Sequence, residues 1–310
     1  MMNKMQCHWC EAINATRKLV QVSWAKFDLQ PLEGKELVFS QCVECLCYSQ
    51  NPLPSKEHLA SLYNDNYLPY VNSARPNMSL LSKSSFKLNP KLEKLLENTY
   101  SVKRAGSTVL DVGAGTSRFG LVLKERGFQV TLADISQRLE HDAILSGMKF
   151  IRAEAQNLRD LSNQGKYSIV HAAHVIEHVE SPKTFLNDLL SLTEPGGIVH
   201  ISFPCADSLL VKMRAERWLS GFEPRHLNLP SMKTITHWLQ QHEEVEKVES
   251  SMEANPRDVA SWFLKRYKIQ NIPKLFRITL TCLSLVVAFI FSKLGPTDRA
   301  HLIVRKQSVQ

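Results

Sequence analysis

The chain has 310 residues, 44% of them hydrophobic and 22% charged, which suits one large α/β domain with a small appendage and excludes an intrinsically disordered protein. Met1 to Gln6 hold no apolar run, so nothing reads as a secretory signal; the expected setting is the reducing cytoplasm, where paired cysteines bind metal rather than form disulfides. The net charge of +8 is local: from Glu253 onward ten basic residues face three acidic ones, a composition suited to an anionic membrane surface or a nucleic acid.

Residues 1–52 carry five of the seven cysteines among short β-prone pieces such as Leu19–Val22 and Leu37–Phe39. Cys7-His8-Trp9-Cys10 and Cys42-Val43-Glu44-Cys45 are two Cys-x-x-Cys knuckles separated by 31 residues. Four thiolates in two such turns match tetrahedral zinc, and the spacing suits a zinc ribbon of two hairpins that needs its metal to fold. Cys47 has no assigned role, and Cys205 and Cys282 read as ordinary buried residues. Asn51-Pro52-Leu53-Pro54 marks a boundary. A connector over 53–106 follows, with a short helix from Glu57 to Tyr63, a polar loop over 71–85 and a helix from Pro90 to Tyr100.

From Ser107 strands and helices alternate. Strands are expected at Thr108–Val112, Gln129–Ala133, Lys149–Arg152, Tyr167–Ala172 and Ile198–Phe203, with helices at Arg118–Arg126, Gln137–Leu145 and Pro182–Leu192 between them. A helix at Ser231–Gln241, a strand at Val245–Met252 and a last strand at Leu302–Arg305 complete the pattern. The alternation implies a doubly wound, mostly parallel sheet, built from 107–252 plus 301–310. Residues 253–300 then form an insertion between the last two strands.

The most specific stretch is Val109-Leu110-Asp111-Val112-Gly113-Ala114-Gly115-Thr116-Ser117, a strand running into a glycine turn and a helix. Asp134 ends the next strand, 21 residues after Gly113, where a carboxylate can accept hydrogen bonds from both hydroxyls of a ribose. This order points to a nucleoside-type ligand. A dinucleotide loop needs a third glycine where Arg118 stands. The loop instead resembles the Asp-x-Gly-x-Gly-x-Gly of class I S-adenosylmethionine (SAM) dependent methyltransferases, with Ser117 in place of the last glycine. The resemblance continues through Glu154-Ala155, Tyr167–Val170, His174–Val179, Glu194–Gly197 and Glu223–Leu227. These motifs are similar to the family that includes quinone-precursor O-methyltransferases. Asn51-Pro52, Leu62-Tyr63 and Tyr67 extend the likeness to the cysteine module, although Glu11 and Leu46 stand where relatives have glycine. The resemblance implies a Rossmann-like seven-stranded sheet and a SAM site formed by Asp111, Gly113, Ala114, Gly115, Asp134, Ile135, Glu154, Ala155 and His174.

Methyl transfer to a hydroxyl needs alignment and removal of a proton. His174, at the C-terminal edge of the fourth strand, is the expected base or cofactor contact, and His226 in Pro-Arg-His is a second catalytic candidate. His174, Glu177 and His178 also spell His-x-x-Glu-His, a zinc-protease pattern, but here at a strand-to-helix junction. Quinone-precursor methyltransferases hold a divalent metal at the three corresponding positions, with a carboxylate where this chain has His174. In this chain Glu177 and His178 are expected to cap and pack.

Ile278 to Ser292 are fifteen uncharged residues, about 22 Å as a helix, short of a roughly 30 Å hydrocarbon core. With Trp262, Phe263, Tyr267 and flanking basic residues they suit an interfacial segment or a lid, peripheral on the inner face of a membrane, with a plain buried helix as the alternative. The expected acceptor is therefore small or lipid-like, methylated at oxygen. An RNA-binding methyltransferase or adaptor and a nucleotide-sugar methyltransferase are the competing readings. Nucleic acid is disfavoured, because the cysteine module is not strongly basic and aromatic residues do not alternate with the basic ones.

Overall fold

A computed structural model of the chain describes residues 6–13, 16–23, 36–63, 88, 90–100, 106–208, 211–212, 221–253, 279, 283 and 298–308. These fall into two compact units, one made of 1–58, 203–237 and 250–301, the other of 59–202, 238–249 and 302–310. The apolar segment 278–292 and the aromatic residues Trp262, Phe263 and Tyr267 lie outside the described residues, apart from the isolated positions Thr279 and Leu283. Among the described residues no helix is long and apolar enough to cross a membrane.

The larger unit is organised by the seven-stranded sheet. Its strands are β4 (Thr108–Val112), β5 (Gln129–Asp134), β6 (Lys149–Arg152), β7 (Tyr167–Ala173), β8 (Thr193–Pro204), β10 (Val245–Glu253) and β11 (Arg299–Lys306). They lie in the order β10-β11-β8-β7-β4-β5-β6, and the pairs β4–β5, β5–β6, β4–β7 and β7–β8 are parallel. Helices α2 (Pro90–Tyr100), α3 (Arg118–Glu125), α4 (Gln137–Leu145) and α5 (Pro182–Leu192) belong to this unit. Such a sheet is covered on both faces, which explains the unbroken burial of Val109–Val112 and Tyr167–Ala172.

One core cluster joins Leu92 and Leu96 of α2, Phe119 and Leu123 of α3, Val109 of β4, Val130 and Leu132 of β5, and Ile169 of β7. A Cβ at Gly120 would sit 2.7 Å from Leu132 Cδ2, so close packing of α3 on β5 depends on glycine there. Gly120 thus fills the packing role that Arg118 cannot. Glu194–Gly197 form an irregularity inside one long strand: Tyr167 pairs with Thr193 and Ile169 with Ile198, leaving four residues against one.

The smaller unit holds the four-stranded sheet β1-β2-β3-β9, from β1 (Thr16–Val22), β2 (Leu37–Cys42), β3 (Tyr48–Gln50) and β9 (Asn228–Leu229). All three strand pairs are antiparallel. The fourth strand is remote in sequence: Tyr48 pairs with Leu229, and Gln50 N–H donates to the Leu227 carbonyl. Phe222 fills the space against Phe39 and Tyr48, with ring centroids 5.1 and 5.2 Å away in edge-on geometry. Two further α-helices among the described residues are α1 (Lys56–Ser61) and α6 (Met232–Gln240).

Candidate functional site

From β4 the chain leads outward to β5 and β6, whereas β7 and β8 lie on the other side, so strand order reverses between β4 and β7. Ligands of open α/β sheets bind at the carboxyl edge of such a reversal. Gly113 leaves β4 there, and His174 leaves β7.

The glycine turn is built from left-handed backbone. Gly113, Gly115 and Ser117 have φ of 61°, 51° and 53°. Gly113 N–H donates to the Ala133 carbonyl at 2.8 Å, and Ser117 N–H to the Ala114 carbonyl at 2.7 Å. A Cβ on Gly113 would lie 2.5 Å from Val175 Cγ2. Ser117 is more than a small residue at a helix start: it occupies a left-handed position at the N-cap of α3, which accounts for the glycine of the family pattern. The Asp134 carboxylate turns onto this loop, accepting Gly115 N–H and Ser136 N–H, each at 3.0 Å. Ile135 beside it is 45% exposed, an apolar surface next to this carboxylate. After β6, Glu154 is exposed and Ala155 half-buried. Ala114 packs partly against the core.

Asp111 is not at the surface. It is buried, and burial pushes its carboxyl up to about 8, with Asp134 adding repulsion and a Gly120 backbone hydrogen bond opposing. Register sets His171 beside it on β7 and His200 beside that on β8. His171 Nδ1 lies 2.9 Å from His200 Nδ1, His171 Nε2 lies 3.9 Å from Asp111 Oδ1, and the Phe119 ring stacks on His171 at 3.6 Å. No motif in the sequence announces this buried row, because its members meet only through strand pairing.

His174 adopts φ 57°, and its N–H donates to the Ser202 carbonyl at 2.8 Å. Its Nδ1 lies 3.1 Å from Glu177 Oε1, with the histidine side chain 43% exposed and Glu177 fully buried. Tyr63 Oη is 3.1 Å from His178 Nδ1. His226 lies in the smaller unit, buried, with Nδ1 donating to the Gly221 carbonyl at 2.9 Å.

In the same smaller unit the cysteine sulfurs of Cys7, Cys10, Cys42 and Cys45 lie within 4.8 Å of one another. Cys7 Sγ is 3.4 Å from Cys45 Sγ, and Cys10 Sγ 3.5 Å from Cys42 Sγ, so each knuckle pairs across to the other. The knuckles share one geometry: Glu11 N–H donates to the Cys7 carbonyl and Leu46 N–H to the Cys42 carbonyl, with φ 62° at both donors. The Cys7 thiol is raised by its hydrogen bond with Cys45 and by burial, a cost that a coordinated dication would remove. The donor set fits tetrahedral zinc. Cys47 lies outside the four; its sulfur accepts Ser231 N–H at 3.2 Å.

A profile of the methyltransferase domain matches residues 84–243. The chain is 33% identical over 112 residues to a tRNA 5-carboxymethoxyuridine methyltransferase of Escherichia coli K12, covering 33% of this chain and 42% of that protein. It is 25% identical over 125 residues to the mitochondrial ubiquinone biosynthesis O-methyltransferase of Dictyostelium discoideum, covering 36% of this chain and 39% of that one. The matches thus span about two fifths of these relatives. A solved SAM-dependent methyltransferase from Archaeoglobus fulgidus aligns at TM-score 0.45 and 18% identity, covering 73% of this chain and 98% of that one.

Proposed function

The chain belongs to the methyltransferase-domain family and is a SAM-dependent methyltransferase, and on that premise we propose that it methylates an oxygen of a small or lipid-like acceptor. The observation that carries the reading is the left-handed glycine turn at the sheet's reversal point, with Asp134 bonded to it. SAM supplies an electrophilic methyl group on a sulfonium. Gly113 and Gly115 would let the backbone approach it, Asp134 would hold the ribose hydroxyls, and Ile135, Glu154 and Ala155 would line the adenine side. His174, exposed at the same edge, takes the acceptor's hydroxyl proton. The relative named for a ubiquinone O-methyltransferase supports oxygen as the target.

Cys7, Cys10, Cys42 and Cys45 hold one structural zinc in this reading, which orders the smaller unit's sheet. Peripheral membrane contact through 253–300 is proposed from sequence alone, and co-sedimentation with anionic liposomes tests it: a protein left wholly in the supernatant at low salt overturns it. The tRNA-acting relative supports a second acceptor class, recognisable by RNA binding that weakens steeply with salt. The main test is calorimetry with SAM on the wild type and Gly113→Arg: binding by the first alone is expected, and a wild type that does not bind overturns the proposal. Comparing metabolites and lipids of knockout and parent cells for one lost methyl group then names the acceptor.

A further inference from the structure

We propose that Glu177 is a positioning residue that fixes the tautomer of His174, so that the pair works as a His–Glu dyad with Nε2 as the proton acceptor. The inference rests on the reading of His174 as base and adds the group that makes the base competent.

Three observations converge. The first is the strained backbone of His174, at φ 57°, a region that costs a side-chain-bearing residue about 1–2 kcal/mol and collects at functional positions. Its N–H is held by the Ser202 carbonyl of β8, so the distortion is enforced by the sheet. Second, the next residues form a single tight turn, Ile176–His178, closed by His178 N–H donating to the Val175 carbonyl. That turn brings Glu177 back under His174, three residues on, at 3.1 Å. Third, exposure differs sharply within the pair: Glu177 has none, whereas the His174 side chain is 43% exposed.

A carboxylate buried this completely needs a donor. With Glu177 ionised, a ring nitrogen 3.1 Å from it serves as N–H, so the neutral imidazole would keep its proton on Nδ1 and its lone pair on Nε2. The proton step balances. The acceptor's O–H proton passes to Nε2 as oxygen bonds to the methyl carbon and the sulfur–methyl bond breaks, its electrons returning to sulfur. The imidazolium is stabilised by the carboxylate at Nδ1 and then releases the proton to solvent.

The test is nitrogen NMR of histidine-labelled full-length protein, with His174→Gln to assign the signal and SAM calorimetry run on each sample. The wild type should show the proton on Nδ1. Glu177→Gln should shift it to Nε2, because the side-chain amide can donate to Nδ1, and methyl transfer should fall by roughly 10²–10⁴-fold. A wild-type signal with the proton on Nε2 overturns the dyad, whatever Glu177→Gln does to folding. So does a tautomer unchanged in a folded Glu177→Gln protein, or a displacement of the His174 signal by added magnesium, which would make Glu177 a metal ligand. If SAM fails to bind the wild type while Nδ1–H is seen, the methyltransferase reading fails and the dyad stands, so the two failures are distinguishable.

Discussion

Replacing Gly113 by alanine tests the site through a single methyl group. Two costs combine. The φ of 61° is left-handed, which charges an alanine about 1–2 kcal/mol. The added Cβ would also fall 2.5 Å from Val175 Cγ2, more than an ångström inside ordinary contact. Val175 is buried and β-branched, which restricts its χ1, and overpacking of this kind costs about 1–3 kcal/mol. The total expected for Gly113→Ala is therefore about 2–5 kcal/mol, read as lost unfolding free energy in urea and as weakened SAM binding by calorimetry. Val175→Ala deletes the atom that clashes. In that background Gly113→Ala should cost only the backbone share, giving a coupling of about 1–3 kcal/mol in the double-mutant cycle. If the two substitutions are additive, the close approach of Gly113 to Val175 is wrong; if Gly113→Ala alone is silent, so is the left-handed turn.

Freshly purified protein should carry one zinc per chain by metal analysis. Cys42→Ser should abolish it and raise hydrogen exchange in both 36–50 and 225–231, since these segments share a sheet; a protein without zinc refutes the ribbon. Glu11→Gly should raise the smaller unit's stability by up to about 1 kcal/mol, because relief of the left-handed backbone at φ 62°, about 1–2 kcal/mol, exceeds the roughly 0.5–1 kcal/mol that glycine's extra chain entropy costs. A loss of stability counts against that geometry. Asp111 has a folded pKa of about 8, above its unfolded value, so the folded state holds a proton that the unfolded chain releases. Its contribution is full below about pH 4 and is lost as pH rises toward about 8, by up to roughly 1.4 kcal/mol per unit. Asp111→Asn should flatten this decline in urea titrations between about pH 5 and pH 8; parallel wild-type and variant curves would show that Asp111 is not buried in neutral form.

What the sequence determined was local. Strand and helix periodicity placed β4, α4, β6 and α5 at their observed bounds, because amphipathic period and capping residues act within a few positions. The knuckles were legible because both thiols of each pair lie within one turn, and the glycine loop because its backbone demand is met by neighbouring residues. The tertiary structure decided what depends on register and on long-range pairing. Nothing near Tyr48 announces Leu229 as its partner, and nothing near Asp111 announces His171 and His200. The close approach of Gly113 to Val175, 62 positions on, follows from β7 lying beside β4. Strand pairing couples residues through hydrogen bonds that carry no side-chain signature, so a single sequence shows which residues can form such a site but not which of them meet.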